Sequence, residues 1–299
     1  MSGLDLLVVG DVNADLVLRG GDLVPTFGQR EQLVDHAELV LGGSGAIVAA
    51  GAARLGLRVA MAGCVGDDAL GRAMLEALDG VDVSAVRTVS VPTGVSVGLA
   101  RPGDRAVLTA LGALAEFRAE DVPGALLAHA RHVHVASPFL QPGLDVAAVA
   151  ARAAGTTSLD PGWDPHERWE LAWQGFDVLL PNAQEAQRLS GEEDVHAAAL
   201  QLAGEGPLVV VKMGADGALA ARQDPRGDLV VSVEAPRTEP VDATGAGDSF
   251  DAGFIAARLA GDGLGAALEL GCVCGALSTR AAGGTAGQPT LAEARSFRG

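Results

Sequence analysis

The stretch from 240 to 254 contains the residues of this chain that are best suited to chemistry. A glycine turn, Gly245-Ala246-Gly247, is followed by Asp248, and apolar residues recur at helical spacing from Phe250. This pattern predicts a helix that begins at the turn. Glycines allow backbone N–H groups to approach a ligand, and a helix N-terminus favours an anion. A carboxylate beside an anion can take a proton from a hydroxyl that attacks a phosphoryl group. The alternative for Asp248 alone is an ordinary first-turn aspartate.

The whole stretch resembles the signature of the ribokinase-like (PfkB-type) sugar kinases, Asp-Thr-Thr-Gly-Ala-Gly-Asp-x-Phe. Here it is Asp242-Ala-Thr-Gly-Ala-Gly-Asp-Ser-Phe250, which departs only at Ala243. The resemblance implies that Asp248 deprotonates the acceptor hydroxyl and that the amides of residues 245–247 hold phosphate charge. An ordinary aspartate pKa of about 4 predicts that Asp248 is ionised at neutral pH.

The same resemblance assigns a second task to the residues before the turn. In the family this loop touches a bound monovalent cation that shapes the anion site. Asp242 and Thr244 are therefore expected to hold K⁺.

Composition limits the class of protein. A chain of 299 residues with 48% hydrophobic residues and no long apolar run predicts a soluble globular protein that does not span a membrane. The N-terminus has no basic region, so no signal peptide is expected. Three cysteines (Cys64, Cys272 and Cys274) do not suit a disulfide framework and favour a reducing, cytoplasmic location.

The net charge limits the possible binding partners, and the single lysine limits the possible nucleotide-binding motifs. The net charge is -17, which argues against nucleic acid as a partner. The only lysine, Lys212, precedes Gly214 and so does not fit a Walker A loop. ATP would have to be held by backbone amides, Mg²⁺ and arginines.

Two polar residues follow the first predicted strand. The apolar run Leu4 to Gly10 is typical of a buried parallel strand, and Asn13 and Asp15 come soon after it. Residues there face the ligand crevice of an open α/β sheet, where these two could bind vicinal hydroxyls. By themselves they fit turn residues better. The resemblance favours sugar binding, since the family carries Asn-x-Asp here.

A second glycine-rich turn, Gly42-Gly43-Ser-Gly45, is expected to begin a helix close to a ligand. It resembles the family signature Gly-Gly-x-x-x-Asn, in which the asparagine touches the sugar. Ile47 stands at that position. Isoleucine cannot pair with a hydroxyl, so we expect an acceptor that lacks a hydroxyl there or carries an apolar group.

Segments 12–40 and 93–111 contain short runs that alternate between apolar and polar residues. They predict a small β-strand lid over the crevice, with an outer face that offers a surface for a homodimer. The alternative is that these strands extend the main sheet.

The nucleotide side is expected between residues 182 and 217. Asn182 and Glu185 have the spacing of a helix capping box, which explains them structurally. They also resemble the family motif Asn-x-x-Glu, which organises Mg²⁺, through water for Glu185. Lys212, Gly214 and Gly217 resemble the family's nucleotide-side loop.

Together these patterns predict a ribokinase-like α/β fold as a single domain over residues 1–299, with a largely parallel central sheet flanked by helices. The resemblance implies an ATP- and Mg²⁺-dependent kinase that phosphorylates a hydroxymethyl group of a small sugar or sugar-like substrate. Two alternatives are a nucleoside kinase of the same family and a non-catalytic ligand-binding protein on this fold.

Overall fold

The computed structural model describes residues 3–20, 23–101, 104–225 and 227–297. The strands of this part of the chain are β1 (Leu6–Val9), β2 (Asn13–Arg19), β3 (His36–Gly42), β4 (Val59–Gly66), β5 (Val81–Val89), β6 (Val95–Arg101), β7 (Asp104–Ala110), β8 (His132–Ala136), β9 (Thr156–Asp160), β10 (Val178–Leu179), β11 (Leu208–Lys212), β12 (Ala218–Arg222) and β13 (Leu229–Val233). The helices are α1 (Ser44–Arg54), α2 (Ala69–Ala77), α3 (Gly124–His129), α4 (Val146–Arg152), α5 (Ala183–Ser190), α6 (Val195–Ala203), α7 (Ala246–Ala260), α8 (Leu264–Ser278) and α9 (Leu291–Ser296).

Nine strands form the central sheet, in the order β13-β12-β11-β10-β9-β8-β1-β4-β5. Pairing is parallel from β5 to β11 and antiparallel at β12 and β13. Alternate residues of β1 enter two cores: Leu6 and Val8 pack on one face, and Leu7 and Val9 on the other. Burial on both faces explains the continuous apolar runs, because a parallel sheet is covered by helices on each side. The predicted fold is confirmed.

The carboxyl ends of the parallel strands share one edge of the central sheet, where ligands bind in open α/β folds. Asp11 follows β1, Asp160 ends β9 and Lys212 ends β11. Residues that lie far apart in the sequence therefore meet along this crevice.

Four strands form a separate sheet, in the order β3-β2-β6-β7. The alternative, that these strands extend the main sheet, is thus wrong, and strands from the two predicted segments pair with each other. Residues 21, 22, 102 and 103 of those segments lie outside the described residues.

The register of this small sheet separates a polar from an apolar row. Asp15 pairs with Ser96, and Ser96 pairs with Thr109. The next row, which faces the other way, contains Leu39 and Leu108, which are 50% and 65% exposed. One face is therefore suited to a polar ligand and the other offers exposed apolar surface.

The two longest helices among the described residues, α7 and α8, have 15 residues each. None of the described helices is both long and apolar enough to cross a membrane.

Candidate active site

The glycine turn, residues 245–247, begins α7 as predicted. Gly245 has φ 71° and the helix has no side-chain cap. A Cβ on Gly245 would lie 2.7 Å from the Cα of Gly284, so only glycine fits there without displacing backbone. The Ala246 amide donates to the Ala243 carbonyl at 3.2 Å, and because no side chain caps the helix, the amides of Gly245 and Gly247 can face an anion such as a nucleotide phosphate.

Asp248 lies in the first turn of α7 among other ionisable groups. The Ser44 side chain, at the start of α1, lies beside its carboxyl and favours the ionised form. Burial, and next the negative charge of Asp160, raise its pKa to about 7, although Lys212 opposes this. The expectation that Asp248 is fully ionised at neutral pH is therefore wrong for the protein without ligands. Its environment, and not its residue type, sets the charge.

Asn13 is held by the residues of the polar row. Its Nδ2 donates to Asp15 Oδ1 at 2.7 Å and to Ser96 Oγ at 3.1 Å. Both donors of the amide are thus used within the protein, which leaves Oδ1 as the group that can bind a ligand.

The second glycine turn packs directly under this pair. A Cβ on Gly43 would lie 2.8 Å from Asn13 Oδ1, and one on Gly42 would lie 2.1 Å from Asp15 Oδ1. The small size of both glycines is therefore required for the backbone to approach these side chains. The structure brings four of the five predicted acceptor-side residues together, and Ile47 is the exception.

Asn182 and Glu185 form the capping box of α5. Asn182 Oδ1 accepts from the Glu185 amide at 3.0 Å, and Glu185 Oε2 accepts from the Asn182 amide at 2.8 Å. Burial, and next the charge of Asp160, raise the pKa of Glu185 to about 7. The capping interpretation is confirmed, and the role of Glu185 towards Mg²⁺ stays a prediction. Among the residues in the described ranges, no group of three or more His, Cys, Asp or Glu could hold a metal ion.

Lys212 is buried and its ammonium lies between two carboxyls. Nζ donates to Asp160 Oδ2 at 2.7 Å and to Asp251 Oδ2 at 3.0 Å. Burial lowers the pKa of Lys212, and the two neighbouring carboxyls more than reverse that effect. The predicted contact of Lys212 with a nucleotide stays a prediction.

Asp242 lies just before the glycine turn and accepts hydrogen bonds from two backbone amides. Its Oδ1 accepts from the Thr244 amide and its Oδ2 from the Gly283 amide, each at 2.9 Å. Burial raises the pKa of Asp242, but these hydrogen bonds outweigh it and the net direction is down. A carboxylate fixed in its charged form suits a cation site, and the K⁺ assignment stays a prediction.

Ile47 and the nucleotide-side glycines have clear structural roles. Ile47 is 3% exposed, and its Cδ1 would lie 2.4 Å from a Cβ on Gly284. It packs behind the glycine turn and offers little surface to an acceptor. Ile47 can therefore influence substrate specificity only by positioning the backbone of that turn. Gly214 (φ 61°) and Gly217 (φ 97°) form the tight turn after β11.

Comparison with known proteins agrees with this arrangement. The pfkB family of carbohydrate kinases matches residues 4–291. The chain belongs to the pfkB carbohydrate kinase family.

Two relatives and one solved structure show how far the similarity of this pfkB family kinase extends. It is 34% identical over 282 residues to an ATP-dependent ribose-1-phosphate kinase of Halopiger xanaduensis, covering 91% of each chain. It is 28% identical to a ribokinase of Haemophilus influenzae, covering 98% of this chain and 97% of the relative. The structure of Arabidopsis thaliana ribokinase with ribose and ATP superposes with a TM-score of 0.82, at 25% identity, covering 99% of this chain and 100% of that one.

Sequence reasoning missed several residues of this kinase's site. Ser44 contacts Asp248, Asp11 Oδ1 accepts from the Gly45 amide at 2.9 Å, and Ser96 holds Asn13. Asp251 contacts Lys212. Asp251 could have been noticed from its place three residues after Asp248, which puts both on one side of a helix. Ser96 gave no sequence signal.

Proposed function

We propose that this pfkB family kinase phosphorylates a hydroxymethyl group of a sugar or sugar-like alcohol, with Asp248 as the general base. ATP supplies the phosphoryl group and Mg²⁺ offsets its negative charge when both are bound. The observation that carries the proposal is the position of Asp248 in the first turn of the uncapped helix α7, beside the glycine turn. A base and a set of anion-binding amides are thereby fixed in one rigid element.

The roles of the protein groups follow from where they lie. The amides of Gly245, Ala246 and Gly247 stabilise the charge of the transferred phosphoryl group, since phosphoryl transfer depends mainly on positioning and electrostatics. Asp248 accepts the proton of the acceptor hydroxyl. Ser44 lies beside this carboxylate and favours its ionised form. Asn182 and Glu185 would hold Mg²⁺ through water.

The chemistry of the acceptor side favours a neutral polyol. Asn13 presents a carbonyl oxygen, and Asp15 is a carboxylate, so both accept hydrogen bonds from a ligand. Hydroxyl groups can donate to them, whereas a carboxylate or phosphate at this position would be repelled. A charged group on the substrate would have to lie elsewhere.

A panel of acceptors tests the proposed function. ATP consumption is measured with ribose, fructose, ribose 1-phosphate, a longer sugar alcohol and two nucleosides, and the product is identified by mass. We expect phosphorylation of at least one acceptor at a primary hydroxyl. Turnover of nucleosides alone would establish the nucleoside kinase alternative, and binding without ATP consumption would establish a non-catalytic protein.

Further assignments extend the proposal. Residues 1–299 act as one kinase domain in which the small sheet closes over the acceptor, and Asp242 and Thr244 hold K⁺.

The row with exposed Leu39 and Leu108 supports a homodimer through the lid. Light scattering of the wild type and of a Leu108→Lys variant tests this. The buried free cysteines support a reducing, cytoplasmic environment. Neither nucleic acid nor a membrane is proposed as a partner.

A further inference from the structure

The buried ammonium of Lys212 joins three elements behind the active-site crevice. It binds Asp160 at the end of β9 and Asp251 in the middle of α7, and Lys212 itself ends β11. Lys212 is 9% exposed, Asp160 5% and Asp251 0%. These two contacts hold helix α7, which carries Asp248, against the carboxyl ends of strands β9 and β11.

The ammonium also lies directly behind the glycine turn. A Cβ on Gly247 would be 3.6 Å from Lys212 Nζ. Asp251 follows Asp248 by three residues, so the two side chains project from the same side of α7. Any net charge on these buried groups therefore acts on Asp248 and on an anion bound at the turn.

A buried group of two carboxyls and one ammonium requires an additional proton. Asp160 and Asp251 bind the same Lys212 ammonium, at 2.7 and 3.0 Å, so the two carboxyls lie close together and two carboxylates there would repel each other. Two ionised carboxylates with one ammonium would also leave a net negative charge buried, which is unfavourable.

The surroundings decide which carboxyl holds the proton. Asp160 accepts from Lys212 and from the Gly162 amide at 2.9 Å, so both of its oxygens are bonded as a carboxylate. Asp251 Oδ1 is buried and receives a hydrogen bond from no donor within the described residues. As a protonated oxygen it would instead donate to Asp160.

We propose that Lys212, Asp160 and Asp251 form a positioning unit behind the glycine turn, in which Lys212 and Asp160 carry opposite charges and Asp251 is a neutral carboxylic acid. The unit then has no net charge, so it does not repel a phosphate on the other side of Gly247. Its effect on turnover rests on the proposed function, whereas the location of the proton does not.

The charged and titratable neighbours agree with this assignment. Burial, in the first place, raises the pKa of Asp251 well above its usual range. Burial also acts upward on Asp160, but the charge of Lys212 leaves its pKa below the usual range. The other groups that face the unit are His134, whose pKa burial lowers to about 3, and the carboxyls of Glu185 and Asp248. None of them supplies a second positive charge at neutral pH.

Infrared spectroscopy of the full chain tests the proton without any assay of activity. At pH 9 the carboxyls of Asp11, Glu185 and Asp248, with pKa values of about 6, 7 and 7, are ionised. We expect the wild type to retain the C=O stretch of a protonated carboxyl at this pH, and Asp251→Asn to lose it. A wild-type spectrum without this band, or an unchanged band in Asp251→Asn, would overturn the proposal.

The turnover of two matched variants shows which of the two carboxyls, Asp160 or Asp251, carries the proton. Asp251→Asn replaces a neutral acid by a neutral amide, so we expect its kcat to fall less than that of Asp160→Asn. Asp160→Asn makes the same chemical change at the ionised partner, and we expect a loss of at least about tenfold in kcat. Equal losses in both variants, or a greater loss in Asp251→Asn, would contradict the assignment.

The pH profile separates positioning from mere folding. Removal of the positive charge in Lys212→Met should move the acid limb of kcat/KM to higher pH, because Lys212 lowers the pKa of Asp248. Lys212→Arg should move it much less. A folded Lys212→Met protein with an unshifted limb would refute the proposal, and if that variant does not fold, the pair of asparagine variants decides. A wild type that phosphorylates no acceptor would refute the proposed function and leave the infrared result standing.

Discussion

The substitution Asp248→Asn tests the general base most directly. It keeps the size of the side chain and removes the basic oxygen next to the glycine turn. A positioned general base contributes about 10²–10⁴ in rate, so we expect kcat to fall by that factor, or about 3 to 5 kcal/mol in activation free energy. Steady-state ADP release on the acceptor found by the panel measures this loss, with the exposed Asp79→Asn as control.

The pH profile gives a second measure of the same residue. A base must be deprotonated to act, and the pKa of Asp248 is about 7. The value of kcat/KM should therefore fall below about pH 7 and reach a plateau above it, since this ratio reports the free enzyme. An acid limb near pH 4 would show that the buried environment does not control the carboxyl.

The stability of the variant follows from the same pKa. A carboxyl whose pKa is raised on folding contributes stability below its unfolded pKa, and this contribution is lost as the pH rises through the folded value. The change from 3.8 to about 7 at Asp248 corresponds to at most about 4 kcal/mol, and its partial exposure reduces this to about 1 to 2 kcal/mol. Asp248→Asn should therefore be more stable than the wild type at pH 8, with the advantage absent at pH 4.

Denaturant unfolding at the two pH values checks the stability prediction. Retention of more than a tenth of wild-type turnover by Asp248→Asn would refute its role as base. An equal stability difference at pH 4 and pH 8 would refute the raised pKa but leave that role intact.

Three further predictions concern the groups around this base. Glu185→Gln should keep the capping box, because a glutamine oxygen can still accept from the Asn182 amide, and should weaken the Mg²⁺ dependence of the rate; an unchanged Mg²⁺ response would leave capping as its only role. Turnover should be faster in K⁺ than in Na⁺ at equal ionic strength, and equal rates in K⁺, Na⁺ and a bulky organic cation would remove the cation assignment from Asp242 and Thr244. Ser96→Ala should raise the acceptor KM by about tenfold with a smaller change in kcat, because Asn13 loses one of its two hydrogen bonds; an unchanged KM would exclude Ser96 from the acceptor side.

The interior of the fold was predictable because buried strands have a strong sequence pattern. Leu4 to Gly10 indicated a central strand, and β1 is buried on both faces. The edge strands β5 and β13 were not predicted. Val81–Val89 alternates between more and less exposed residues only over its first five positions, and the burial of Leu229–Val233 is incomplete. An edge strand is defined by the neighbour it pairs with, which a local pattern does not contain.

The site was predictable where one short segment contains the geometry. The glycine turn and the first turn of α7 are contiguous, so Asp248 could be found from spacing. The contact of Lys212 with Asp160 depends instead on the strand order β9-β10-β11, which joins residues 52 apart in the sequence. A local motif cannot show such a contact.

The charge of the base is the clearest case in which residue type misleads. A solvated aspartate is ionised at pH 7, whereas burial raises the pKa of the same residue in this crevice to about 7. Burial raises its pKa most; in addition Asp160 raises it and Lys212 lowers it, so the contribution of charge depends on whether these two charges cancel. They cancel only if Asp251 stays neutral, because a second ionised carboxylate would leave the ammonium outnumbered. The proton on a residue that does not touch the substrate would then set the pH at which Asp248 begins to act.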